Sequence, residues 1–136
     1  MPSQVSWLLE NRVMLTYNQG VVSDQDMFNI DQPVLDYMNQ CTAPLVHMIV
    51  DHRNGIGSPS TKALAQLQWP KHAKVGWMIM VGMANPFQKF VVAVASNFFK
   101  TRMRMFDTMD QALDFLNEID STLPVLRENI LNKKAS

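Results

Sequence analysis

The chain has 136 residues, 47% of them hydrophobic, with 12 basic side chains against 12 acidic ones and a formal net charge of +0. That length suits one domain with a sizeable core, and the hydrophobic share excludes a disordered chain. The balanced charge argues against broad attraction to nucleic acid, which needs a basic surface to displace counterions.

Residues 5–9 and 13–17 read as two short strands joined by the turn Glu10-Asn11-Arg12. Gly20 is expected to end the second strand unless Val21-Val22 prolong it. Ser23 then suits an N-cap, with Asp24 and Asp26 in the first turn, where carboxylates meet the positive helix end. Met27, Ile30, Val34 and Met38 follow on one helical stripe. Pro33 removes a hydrogen bond within it, so the helix either kinks there or is divided. Residues 45–50 form a continuous apolar run in which only His47 is polar, as expected of a central strand covered on both faces. A helix is expected over 60–68, with Ala63, Leu64 and Leu67 inward and Pro70 stopping it, and a buried strand over 77–83. A helix follows over 86–100, then a short alternating strand, Arg-Met-Arg-Met-Phe, over 102–106. Asp107-Thr108, with Gln111 three residues on, forms a capping-box pattern before a helix burying Ala112, Leu113, Leu116 and Ile119. A last helix is expected over 122–132, bearing Leu123, Leu126 and Ile130.

The single cysteine, Cys41, permits no intramolecular disulfide and suits a reducing compartment. The start Met1-Pro2-Ser3-Gln4 has no signal-peptide pattern, and no apolar stretch is long enough to span a bilayer, so a cytoplasmic protein without a transmembrane segment is expected. The 11 methionines supply soft, adaptable apolar volume.

Two places stand out for function. The first is the end of the apolar run at Asp51, followed by His52, Arg53 and Asn54, two glycines, and then Ser58, Ser60 and Thr61 before a helix. Carboxyl ends of strands in α/β sheets are where ligands and partners meet the protein. Asp51, His52 and Arg53 suit an anion or a partner's side chains, with backbone N–H groups near Gly55 and Gly57; alternatively they form a solvated loop. Ser58, Ser60 and Thr61 suit phosphate at a helix N-terminus, or plain N-capping. A hydrolase triad of Ser60, His52 and Asp51 lacks the Gly-x-Ser-x-Gly elbow, and adjacent Asp51 and His52 face opposite ways when extended. His47, His52 and His72 match no metal-ligand spacing, and no catalytic residue, metal or cofactor is expected.

The second place is the helix over 86–100. Phe87, Phe90, Val91, Val94 and Phe98 make one apolar face, and Val92, Ala95 and Phe99 a second. A helix packed on a sheet needs one stripe, so the extra width calls for a second subunit, a lipid or the terminal helix of the same chain.

The order ββαβαβαβα with a terminal helix resembles the STAS-like group typified by the sporulation anti-sigma-factor antagonist, the SpoIIAA-like proteins, whose βα superhelix is shared with CRAL-TRIO domains. The resemblance is carried by the strand ending Ile49-Val50-Asp51 with its serine-bearing loop and by Val75-Gly76-Trp77-Met78-Ile79-Met80-Val81-Gly82. The third carrier is Met105-Phe106-Asp107-Thr108-Met109-Asp110-Gln111-Ala112-Leu113-Asp114-Phe115-Leu116. It covers roughly residues 7–119. It implies one domain over 1–136, with a mostly parallel sheet of about five strands, an antiparallel N-terminal edge hairpin, helices on the sheet and an extra C-terminal helix. It further implies a non-enzymatic regulatory or protein-interaction module with an unknown protein partner; the homodimer is expected from the second apolar face of 86–100. The alternative is a binder of a small apolar ligand or lipid. The family's phosphorylatable serine lies in an Asp-Ser-Ser-Gly type motif, which this chain lacks, so the resemblance carries no phosphoserine to Ser58, Ser60 or Thr61.

Overall fold

The N-terminal hairpin turns at Asn11, whose positive φ of 67° is a left-handed conformation that asparagine tolerates. It joins β1 (Ser3–Leu9) to β2 (Val13–Val21) in antiparallel pairing. The computed structural model describes residues 3–57, 59–82 and 102–128. Within them follow α1 (Asp24–Gln40), β3 (Val46–Ile56), α2 (Thr61–Gln66), a 3-10 turn at Trp69–Lys71, β4 (Val75–Val81), β5 (Arg102–Phe106) and α3 (Met109–Ile119). The five strands lie in the order β1-β2-β3-β4-β5, and β2 to β5 are mutually parallel. This is the α/β architecture expected from strands that alternate with helices.

α1 starts at a full capping box: the Ser23 hydroxyl accepts from the Asp26 N–H, and the Asp26 carboxylate accepts from the Ser23 N–H. Met27, Ile30, Val34 and Met38 are its buried residues, and the helix runs on through Pro33 as one element. α3 has the same device at Thr108 and Gln111.

Each face of the sheet has its own core. On one side Met14, Met48, Val50 and Met78 pack with the α1 stripe, Leu67 and Trp69. On the other Val13, Ile49, Ile79 and Val81 pack with Ala112, Leu113 and Leu116 of α3 and with Leu123 and Leu126 beyond it. The register sets Met14, Met48, Met78 and Met103 side by side across the four parallel strands. On the strands, methionines therefore dominate the α1 face of the sheet and branched aliphatics the α3 face.

Of the two ends left open for β2 the later one holds: Gly20 (φ +73°) pairs with Gly55 inside the β2–β3 ladder and the strand runs to Val21. Several boundaries differ from expectation. β3 does not stop at Asp51; pairing with β2 carries it five residues further, to Ile56, while Leu45 is left exposed. α2 ends at Gln66 because the Asp31 carboxylate captures the N–H groups of Gln68 and Trp69 and diverts the chain into the 3-10 turn, which contains Pro70. β4 covers 75–81 rather than 77–83. Ile119 is exposed, since the α3 stripe rotates toward Phe115, which packs edge-on against Trp77 at 5.0 Å. After α3, residues 122–125 are not helical, and helix resumes over 126–128. The expected helix over 86–100, with Phe87, Phe90, Val91, Val94, Phe98 and Phe99, lies outside the described residues, as does Ser58.

Candidate functional site

The carboxyl half of β3 carries the predicted residues on both faces of the sheet. Asp51 is buried and would be costly there without a partner. Two residues on, where the β2–β3 register shifts, Arg53 supplies one. Its backbone N–H and Nε donate to Asp51 Oδ1 (3.1 and 2.9 Å), and its Nη2 donates to Oδ2 (2.8 Å). The fork is bidentate, the strong form of this pair. That hydrogen bond is the main reason the Arg53 pKa is raised, against the opposing effect of burial. The Arg53 side chain is still 47% exposed, so the pair holds the arginine in place at the surface. Gly82 (φ +86°) makes room for it: a Cβ there would lie 2.7 Å from Arg53 Cα and 2.8 Å from its N. Beside it the Asn54 amide donates to the Tyr17 hydroxyl (2.8 Å). Beyond the last β3–β4 pair, at Asp51 and Val81, β3 continues with β2 alone and ends with Val21 opposite Ile56, both widely exposed.

His52 points to the α1 side. The Ser3 hydroxyl donates to Asn18 Oδ1 (2.8 Å), Asn18 Nδ2 donates to His52 Nδ1 (3.1 Å), and His52 Nε2 donates to the Gly57 carbonyl (2.8 Å). The amide donor at Nδ1 and the carbonyl at Nε2 fit the tautomer with its proton on Nε2. Asp51 and His52 therefore do not form a catalytic pair. Ser60 makes its bonds elsewhere: its hydroxyl accepts from the Ala63 N–H as the α2 N-cap and donates to Asp24 Oδ2 (2.9 Å), joining the starts of α1 and α2. Thr61 is the first residue of α2. Removing the cap with Ser60→Ala is expected to cost about 1 kcal/mol in urea unfolding.

Sequence reasoning missed a second polar cluster, at the other end of the sheet. His47 Nδ1 accepts from the Trp77 N–H (3.0 Å), and its Nε2 donates to Asp120 Oδ2 (3.0 Å). Arg12 Nη2 reaches the same oxygen (3.2 Å), while the Thr122 hydroxyl and N–H donate to Asp120 Oδ1. These bonds, those from Thr122 first and that from His47 second, lower the Asp120 pKa from 3.8 to about 2. Gly76 provides the space, since a Cβ there would lie 2.6 Å from His47 Nδ1. The one hint in the sequence was a histidine in an apolar run, which must find a partner. His72 repeats the pattern, accepting from the Lys74 N–H and donating to Asn39 Oδ1. The three histidines are thus committed to three separate places, and among the described residues no group of three His, Cys, Asp or Glu side chains is placed to hold a metal ion.

No protein-family model and no curated protein matches the chain. Among solved structures it is similar to an uncharacterized protein of the DUF3478 family from Shewanella loihica PV-4, described as having a SpoIIAA-like fold. The match has a TM-score of 0.61 and 14% identity, covering 84% of this chain and 91% of that one. Among the described residues no helix is long and apolar enough to cross a membrane. The parallel β2–β5 sheet, its antiparallel β1 edge and this match together give the chain the SpoIIAA-like fold.

Proposed function

We propose that the chain is a cytoplasmic, non-enzymatic STAS-like module that works by protein–protein contact, with the β3 strand end as one working surface and residues 86–100 as the interface of a homodimer. The observation that carries this reading is the use made of the polar groups at the strand end. Asp51, His52 and Ser60 are all spent on holding backbone and side chains in place. What they present outward is a fixed arginine, an asparagine and the apolar pair Val21 and Ile56. A surface held this way loses little conformational entropy on meeting a partner. The doubly apolar pattern of 86–100 supports self-association.

The second reading, an apolar-ligand binder in the manner of CRAL-TRIO domains, is favoured by the methionine row on the α1 side, whose outer member Met103 is only partly buried, as is Met80 two residues along from Met78. Native mass spectrometry of the purified chain separates the two. A dimer without added mass is expected; a single chain carrying a co-purified lipid would replace the first reading with the second.

A further inference from the structure

β5 closes the sheet, and among the described residues no strand pairs with its outer edge. The Gly82 N–H donates to the Phe106 carbonyl, so Phe106, and by alternation Arg104 and Arg102, turn their backbone groups toward β4. The N–H and C=O groups of Met103 and Met105 therefore point away from the sheet. The side chains are sorted as well. The Arg104 guanidinium lies 4.9 Å from the Phe115 ring centroid and 5.8 Å from that of Phe106, on the α3 side, and Arg102 shares that side. Met103 packs with the α1-side core.

Edge strands are usually blunted by bulges, prolines or twist. At the opposite edge the β1–β2 register shifts between Trp7 and Leu9, and the β2–β3 and β3–β4 pairs shift too. The β4–β5 pair runs from Trp77 and Arg102 to Val81 and Phe106 without a shift, and β5 contains no proline. Charged side chains are a further such device, and β5 carries two at alternate positions, Arg102 and Arg104.

We propose that the outer edge of β5 accepts an extended acidic segment of another protein as a sixth strand, with carboxylates at alternate positions facing Arg102 and Arg104. Main-chain bonds to Met103 and Met105 would supply affinity, and the arginines would supply choice of partner. Arg104 is already held against two aromatic rings, so little of its freedom is left to lose. Charge rules out a second copy of the chain: antiparallel pairing of two β5 strands with matching faces sets their arginines opposite or diagonal to one another. β4 lies between this edge strand and β3, and the proposal does not rest on the homodimer, so its failure would leave that reading untouched.

The test is fluorescence anisotropy of the full chain with three probes: a short labelled peptide alternating glutamate and valine, its lysine counterpart, and a single-stranded oligonucleotide of equal charge. The glutamate peptide is expected to bind, and to protect the Met103 and Met105 amides from hydrogen exchange. Affinity should fall at least ~10-fold in Arg102→Glu/Arg104→Glu. It should fall similarly in Met105→Pro, which removes an outward N–H and leaves the β4 ladder intact. Should Met105→Pro fail to fold, backbone N-methylation of the peptide at its pairing positions replaces it, with the same loss expected. No binding of the glutamate peptide, equal binding of either other probe, or full affinity after the proline or the methylation would overturn the proposal.

Discussion

Gly82→Ala is expected to destabilise the fold by about 2–4 kcal/mol, far more than a surface substitution normally costs. Two effects act together. The positive φ of 86° strains any L side chain, and the new Cβ would meet Arg53 Cα, Cγ and N at 2.7, 2.7 and 2.8 Å. Backbone cannot swing aside as the end of a flexible side chain can. Either β4 separates from β3 at its carboxyl end, or Arg53 moves and Asp51 loses its fork in a buried place. Gly20→Ala is the matched control, because it has a φ of +73° but nothing within 4 Å of the added Cβ. It is expected to cost only the conformational part, about 1–2 kcal/mol. The difference between the two in urea unfolding measures how rigidly Arg53 is held; equal costs would mean that the arginine is free to shift.

The second large effect is at Asp120. Asp120→Ala leaves the buried His47 Nε2–H without its acceptor and cuts Arg12 and Thr122 loose, an expected loss of about 2–3 kcal/mol. The carboxyl also makes stability depend on acid. Its pKa is about 2 in the folded chain against an ordinary 3.8, so the folded state prefers the ionised form. Its contribution is complete above the ordinary value and is lost as pH falls from about 4 toward 2. With the side chain 21% exposed, this amounts to about 1–2 kcal/mol. Asp120→Asn should flatten the stability profile in that window and leave it parallel to the wild type above pH ~5. A mutant profile parallel to the wild type throughout would show that Asp120 is not the group responsible.

Elements whose signals are local were legible in the sequence. Arg102–Phe106 alternates and is closed by the Thr108–Gln111 box, so its bounds match expectation. α1 is written in the same way, by Ser23, Asp26 and one stripe of four apolar residues. Signals that depend on distant residues were not. β3 outlasts its apolar run because β2 continues beside it, with Gly20 meeting Gly55. α2 stops early because Asp31, on another helix, takes the next N–H groups. The site divides along the same line. Asp51 and Arg53 are two apart on one strand and stood out together in the sequence as part of one polar triplet. Asn18 for His52 and Asp120 for His47 are 34 and 73 residues away, and neither carries a pattern that names its partner.

A contact-driven module whose second apolar face lies within 86–100 makes a direct claim on mass in solution. Sedimentation equilibrium of the wild type should give a dimer of the 15.5 kDa chain, and Phe99→Asp should give the single chain with its far-UV circular dichroism unchanged. A wild type that sediments as one chain, or a Phe99→Asp variant that remains dimeric, would contradict it.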